Sequence, residues 1–112
     1  HPLMAVGCEW LDQIGVDNAE EALQCLAPLG EQALVISGHV HQDSAQAHQG
    51  VQCLTSPSTC IQFAPRSAGF QVDAKAPGCR MLTLHEAGRW QTDVLRVTDE
   101  AFPVDLDSSG YA

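Results

Sequence analysis

Four apolar residues in a row, Ala33-Leu34-Val35-Ile36, leave this chain few architectures. A short, partly β-branched run between turn signals reads as a buried strand covered on both faces. Upstream, Asp17 or Asn18 can cap a helix, and Glu20 and Glu21 suit its positive end. Ala19, Ala22, Leu23 and Leu26 then share one face, and Pro28 with Gly30 stops the element. Helix followed at once by buried strand is the second half of a βαβ unit. The strand ends at Ser37-Gly38, and the next residues are His39-Val40-His41.

The flanking segments have a different texture. His1 to Gly7 reads as a strand end running into a loop, and Trp10, Leu11 and Ile14 have helical spacing within residues 8–14. After residue 42 the chain becomes β-rich. Val51 to Thr55, Gly69 to Val72, Met81 to His85 and Trp90 to Val97 are strand-like, with Glu86-Ala87-Gly88 as a hairpin turn. From Asp99 the chain is an acidic tail ending Gly110-Tyr111-Ala112, expected to be loosely held. The organisation expected is therefore residues 1–42 as a helix-strand-His segment, 43–98 as a β-rich region and 99–112 as a tail. No internal repeat is visible.

Charge and cysteine content narrow the function. Five Lys and Arg stand against fourteen Asp and Glu, a formal charge of −9, and the basic residues are not clustered. Nucleic acid is therefore not an expected partner, whereas a small phosphorylated substrate is admissible where metal cations supply the positive charge. No apolar run reaches the roughly 18 residues a membrane-spanning helix needs, so no membrane is expected. The five cysteines, at 8, 25, 53, 60 and 79, make no C-x-x-C pair, which argues against a small zinc-binding domain. They read as inert core thiols of a cytoplasmic protein. The opening His1-Pro2, without initiator Met or signal core, reads as the start of a processed or cut chain.

Gly38-His39-Val40-His41 carries the chemistry. Residues two apart on an extended segment face the same side, and the carboxyl ends of strands in α/β sheets are where ligands bind. Two imidazoles there suit a borderline divalent ion such as Zn, Mn or Fe. The other reading, histidines that only satisfy loop hydrogen bonds, stays open at this point.

Several blocks together resemble one family. Gly-His-x-His is similar to the last motif of the calcineurin-like metallophosphoesterases, and His1-Pro2-Leu3 looks like the end of the His-His-Pro block before it. Gly7-Cys8-Glu9-Trp10-Leu11-Asp12, Asn18-Ala19-Glu20, Pro57-Ser58-Thr59-Cys60-Ile61-Gln62-Phe63 and Ala76-Pro77-Gly78 are similar, in order and spacing, to the class III cyclic-AMP phosphodiesterases of bacteria. The resemblance runs through nearly the entire chain. It departs at Cys79, where an aromatic residue is expected after Pro77-Gly78.

The resemblance implies an α+β or α/β fold, specifically the second, carboxy-terminal half of a four-layer α/β/β/α sandwich. It implies two divalent metal ions, Fe, Mn or Zn, with His39 on one and His41 on the other. His1 is a third candidate, one position after the place where the pattern puts the ligand. The implied reaction is hydrolysis of 3′,5′-cyclic AMP to 5′-AMP by a hydroxide held between the metals. Ser58 and Thr59 would line the substrate pocket, although hydroxyls capping a turn after Pro57 fit equally well.

What is missing matters as much. The family's Asp-x-His, Gly-Asp and Gly-Asn-His blocks occur nowhere in the chain. The bridging carboxylate must come from an amino-terminal half, so the isolated chain is expected to be inactive. Without that half, its open strand edge invites a homodimer. The rival reading is a non-catalytic regulatory or interaction module that keeps the half-fold. Cys60 has no adjacent base and is not read as a nucleophile. His48 and His85 are expected to be solvated, and Trp10, Phe63 and Phe70 to be core or pocket wall.

Overall fold

The computed structural model describes residues 1–110. Two short helices, α1 (Glu9–Asp12) and α2 (Ala19–Leu26), precede seven strands. Asn18 makes no side-chain cap; only its carbonyl receives the Ala22 N–H at 3.1 Å. At Pro28 the helix tightens rather than stops, continuing as a 3-10 segment over Ala27–Gln32. Proline cannot donate the bond an α-turn requires, and the kink falls at Gly30, at φ 51°.

Three strands form the central sheet, in the order β1 (Leu34–Ser37), β3 (Val51–Thr55), β2 (Ala45–His48). β1 and β3 are parallel, Leu34 facing Gln52 and Ser37 facing Thr55. β2 returns antiparallel on the other flank of β3 and was not visible in the sequence pattern. Its residues, Ala-Gln-Ala-His, have too little apolar character to announce a strand.

β1 is not the strand buried on both faces. It is an edge strand, Ile36 is 47% exposed, and β3 beside it holds the sheet's interior, with Val51, Cys53, Leu54 and Thr55 all buried. The expected strand near Gly69 to Val72 shrinks to β5 (Val72–Asp73), paired with β4 (Gln62–Phe63). β6 (Gly78–Leu84) and β7 (Trp90–Arg96) form the expected hairpin around Glu86–Gly88, with Ala87 and Gly88 both at positive φ. The tail is not wholly loose. Gly110 lies on the Phe70 ring, so close that a β-carbon there would come within 3.0 Å of it. Tyr111 and Ala112 lie outside the described residues.

The core divides in two. Cys8, Leu11, Val40 and Phe63 form one cluster, with Trp10, Ile61 and Phe70 against it. Leu23, Ala33, Val51 and Cys53 form the other, under α2. The molecule is a mixed α/β slab of 44 × 33 × 17 Å with a radius of gyration of 15.3 Å, against about 13 Å for an ordinary domain of this length. Its accessible surface is 7195 Å², whereas a monomer of this mass normally exposes about 6,000 Å². Ile36, Met81, Leu84, Leu95 and Val97 are among its exposed large apolar side chains. Among the described residues no helix is long and apolar enough to cross a membrane.

Candidate metal centre

β1 delivers Gly38-His39-Val40-His41 to the carboxyl end of the sheet, but not as extended chain. The Val40 N–H donates to the Gly38 carbonyl at 2.8 Å, closing a three-residue turn with His39 at φ 67°. This is the strained, positive-φ form of the γ-turn. His41 follows at φ 52°, also left-handed. Strict alternation therefore does not orient the two rings. A left-handed residue without glycine costs on the order of 1–3 kcal/mol and persists only where packing over-determines it. Val40 supplies that packing: it is 2% exposed and belongs to the core cluster with Phe63.

The two imidazoles are held differently. His41 donates from Nδ1 to the Ile61 carbonyl at 2.9 Å, because a carbonyl can only accept. That leaves the Nε2 lone pair as the free ligating position, the usual way a supporting bond sets the tautomer of a metal-binding histidine. Its ring also stacks on Phe63, centroids 4.1 Å apart and planes within 5°. His39 has no such bond. Its Nε2 is shut from solvent with no hydrogen-bond partner, and its ring lies 3.8 Å from that of His1. His1 in turn donates from Nδ1 to the Ile14 carbonyl at 2.7 Å.

Burial holds both histidines toward the neutral form. Desolvation lowers the pKa of His39 most, and the positive amino terminus and His41 lower it further. Desolvation also lowers that of His41, partly offset by the bond to Ile61. Neutral imidazole is the form that binds metal. A buried nitrogen without a partner beside a neutral, anchored imidazole fits a cation better than it fits a finished hydrogen-bond network. The donor set is nonetheless partial: among the described residues no group of three or more His, Cys, Asp or Glu stands at metal-holding distance.

The other candidates lie elsewhere. Ser58 is committed to its own turn: its hydroxyl accepts the Cys60 N–H at 2.9 Å and its carbonyl accepts from Gln62 at 2.8 Å. Thr59 is exposed on a cavity of about 310 Å³ with Pro77, Cys79 and Leu95, on the hairpin side. His85 is exposed as expected, bonded to Gln91 at 3.2 Å. His48 is only partly solvated: the residue is half-buried, and its Nε2 is shut off without a partner. All five cysteines are free, but Cys25 and Cys60 are exposed and so are not core thiols. A cleft of about 570 Å³ between Glu31, Gln52, His85, Arg89 and Trp90 opens at the amino ends of β1 and β3, away from His39 and His41.

Three residues that sequence reasoning did not single out shape the site's surroundings. Gln62, 2% exposed, bonds Ser58 through both ends of its amide and so sets the Pro57–Cys60 loop. Asp12 gathers the backbone N–H groups of Val6, Gly7 and Cys8 at 2.8–3.0 Å and organises the loop under Trp10. Arg80 ties the hairpin to the end of β3.

No family model matches the chain. Across nearly all its residues, however, it is similar to part of several bacterial cyclic-nucleotide phosphodiesterases. It is 42% identical over 111 residues to the 3′,5′-cyclic adenosine monophosphate phosphodiesterase CpdA of Pseudomonas aeruginosa, and equally to that of Escherichia coli K12, covering 99% of this chain in each case. A 3′,5′-cyclic-nucleotide phosphodiesterase of Nostoc is 35% identical over 97 residues, 87% of this chain. The chain spans only 40% of the Pseudomonas relative's length and 36% of the Nostoc one's.

Proposed function

We propose that these residues are the carboxy-terminal portion of a dinuclear-metal phosphodiesterase that hydrolyses 3′,5′-cyclic AMP to 5′-AMP, and the second half of a four-layer sandwich. The observation that carries the reading is the strained His39 turn, with a buried unpartnered Nε2 next to a His41 whose Nδ1 is fixed. His39 and His41 would each present one nitrogen to one of two divalent ions, Fe, Mn or Zn; His1, its ring tilted against that of His39, is a further candidate. When bound, such a metal pair lowers the pKa of water to give hydroxide near neutral pH and clamps phosphate oxygens. The chain's own contribution is to hold two neutral imidazoles in a shape fixed by Val40, Phe63 and the Ile61 carbonyl.

The rest of the site comes from an amino-terminal portion such as the relatives' longer chains have. The surface excess of about 1,200 Å² over an ordinary monomer is the scale of a specific interface. Free cysteines support a cytoplasmic setting. The exposed apolar residues of the hairpin also suit an interaction module without catalysis, and one experiment separates the two. The matching segment of the Pseudomonas relative is replaced by this chain, and cyclic-AMP hydrolysis is measured.

The hybrid is expected to turn over, and the 112-residue chain alone is not. His39→Ala and His41→Ala in the hybrid should each cost about 10–100-fold in kcat, with His85→Ala as the silent control. A folded hybrid without hydrolysis sinks the enzymatic reading. Retained rates in both variants at limiting metal make the histidines structural.

A further inference from the structure

Five cationic side chains stand in this chain, and one is used unlike the others. Lys75 and Arg96 pair with Asp73 and Asp43. Arg66 and Arg89 are exposed. Arg80 is half-buried and has no carboxylate partner among the described residues. Its Nε donates to the Thr55 carbonyl at 2.8 Å, one terminal nitrogen to the Ser44 carbonyl at 3.3 Å, and the other to the Thr92 hydroxyl at 3.1 Å. A planar fork of donors suits acceptors spread over three separate segments.

Two of those acceptors lie at the carboxyl end of the sheet, where the histidines are. Thr55 is the next link. Its buried hydroxyl receives the Ser44 N–H at 2.8 Å and donates to the Gln42 carbonyl at 2.6 Å. Residues 42–44 are thus clamped to the end of β3 from two directions, by Thr55 directly and by Arg80 through the Ser44 carbonyl. Gln42 immediately follows His41. The left-handed backbone of His39 and His41 has no regular ladder to hold it, because β1 ends at Ser37. Val40 pins the middle of the turn, and the clamp pins its exit.

We propose that Arg80 is a positioning residue, reaching from β6 through Thr55 and Ser44 to hold the His39–His41 turn in the shape that receives a metal ion. The proposal rests on the histidines being ligands, as argued above. It explains why an arginine, rather than the apolar residue a hairpin face would take, stands in β6 opposite Val94.

The test uses the whole chain with hydrogen exchange and Co²⁺ titration, neither of which needs turnover. In Arg80→Met the amides of Val40 to Ser44 should exchange at least about tenfold faster, while those of Glu21 to Leu26 keep their rates. Co²⁺ affinity should fall about tenfold, the low end of losses from removing a ligand's supporting contacts. Arg80→Lys should not restore it, because one ammonium cannot replace the fork. Should Arg80→Met fail to fold, Arg80→Lys decides, since it keeps the positive charge and loses the fork that reaches Thr55, Ser44 and Thr92 together. Unchanged exchange in residues 40–44 in a folded variant overturns the proposal. Faster exchange there, with Co²⁺ affinity indifferent to His39→Ala and His41→Ala, upholds the clamp and defeats the ligand reading instead.

Discussion

β1 and β3 run side by side in the same direction, yet they live in different environments. β1 is the more uniformly apolar of the two, Leu-Val-Ile-Ser against Val-Gln-Cys-Leu-Thr. β3 is nevertheless the buried strand, with Val51 at 0% and Leu54 at 2% exposure, while Ile36 of β1 is 47% exposed. Position in the sheet decides this: β3 is flanked by β1 and β2, and β1 has only one neighbour. An apolar run at an uncovered edge is what pairing or packing with a further segment would cover. The difference teaches that hydrophobicity reports the environment a strand is built for, and burial the one it has here.

The sharpest way to break that contrast is to truncate one side chain in each strand. Leu54→Ala opens a cavity in the sheet's interior and should cost about 3–4 kcal/mol, within the range for fully buried leucines. Ile36→Ala removes a half-exposed group and should cost less than about 1 kcal/mol, as surface substitutions do. Urea denaturation followed by circular dichroism measures both. Equal losses would mean that the Ile36 side chain itself is packed in solution as tightly as that of Leu54.

Much of the fold was legible because local rules sufficed. The helix at residues 19–26, the strand at 51–55 and the hairpin turn at 86–88 follow from periodicity and turn chemistry alone. The misses share one cause, which is tertiary context. Ala45–His48 became a strand because β3 offered a free flank, not because its residues favour one. Gly69 and Phe70 stayed out of the sheet, and Gln62 and Phe63 joined it, through a pairing across the loop. The histidine pair could be picked from spacing, since the motif is contiguous. Its supports could not: the carbonyl that fixes His41 is 20 residues away, and Arg80 reaches Ser44 across 36. The left-handed turn was also hidden, because neither His39 nor His41 is a residue that advertises positive φ as glycine does.

The open edge of β1 sets the second test. An unpaired strand with an exposed isoleucine invites pairing with another copy, and the surface excess of about 1,200 Å² leaves room for it. Sedimentation at micromolar concentration is expected to show a dimer. Ile36→Lys should shift it toward monomer by about tenfold in dissociation constant, equivalent to ~1.4 kcal/mol. A single monomeric species with a cooperative melt in the unaltered chain would instead show that residues 1–112 close their own core. In that event the thin slab is an autonomous domain, and β1 needs no partner.

The smallest effect expected is at the cysteines, and it maps the contrast between the two strands' surroundings without altering the fold. Cys25 and Cys60 are exposed and free, so they should react with iodoacetamide at the rate of unhindered thiols at pH 8. Cys8 is buried, and Cys53 sits in β3, where desolvation raises its pKa above the ordinary thiol range. Both should be protected until the chain opens. The sign of the pH effect follows from Cys53. A thiol whose pKa is higher folded than unfolded favours the folded state while protonated, so its contribution is complete below about pH 8.5. It is lost as pH rises from there through the folded value. The loss should be well under 1 kcal/mol, visible as a small fall in Tm between pH 8.5 and 10 that Cys53→Ala abolishes. Mass spectrometry of the alkylated chain reads the first half, and a pH series of thermal melts reads the second. Rapid labelling of Cys53 alongside Cys60 would place β3 in solvent and remove the asymmetry between the central and edge strands.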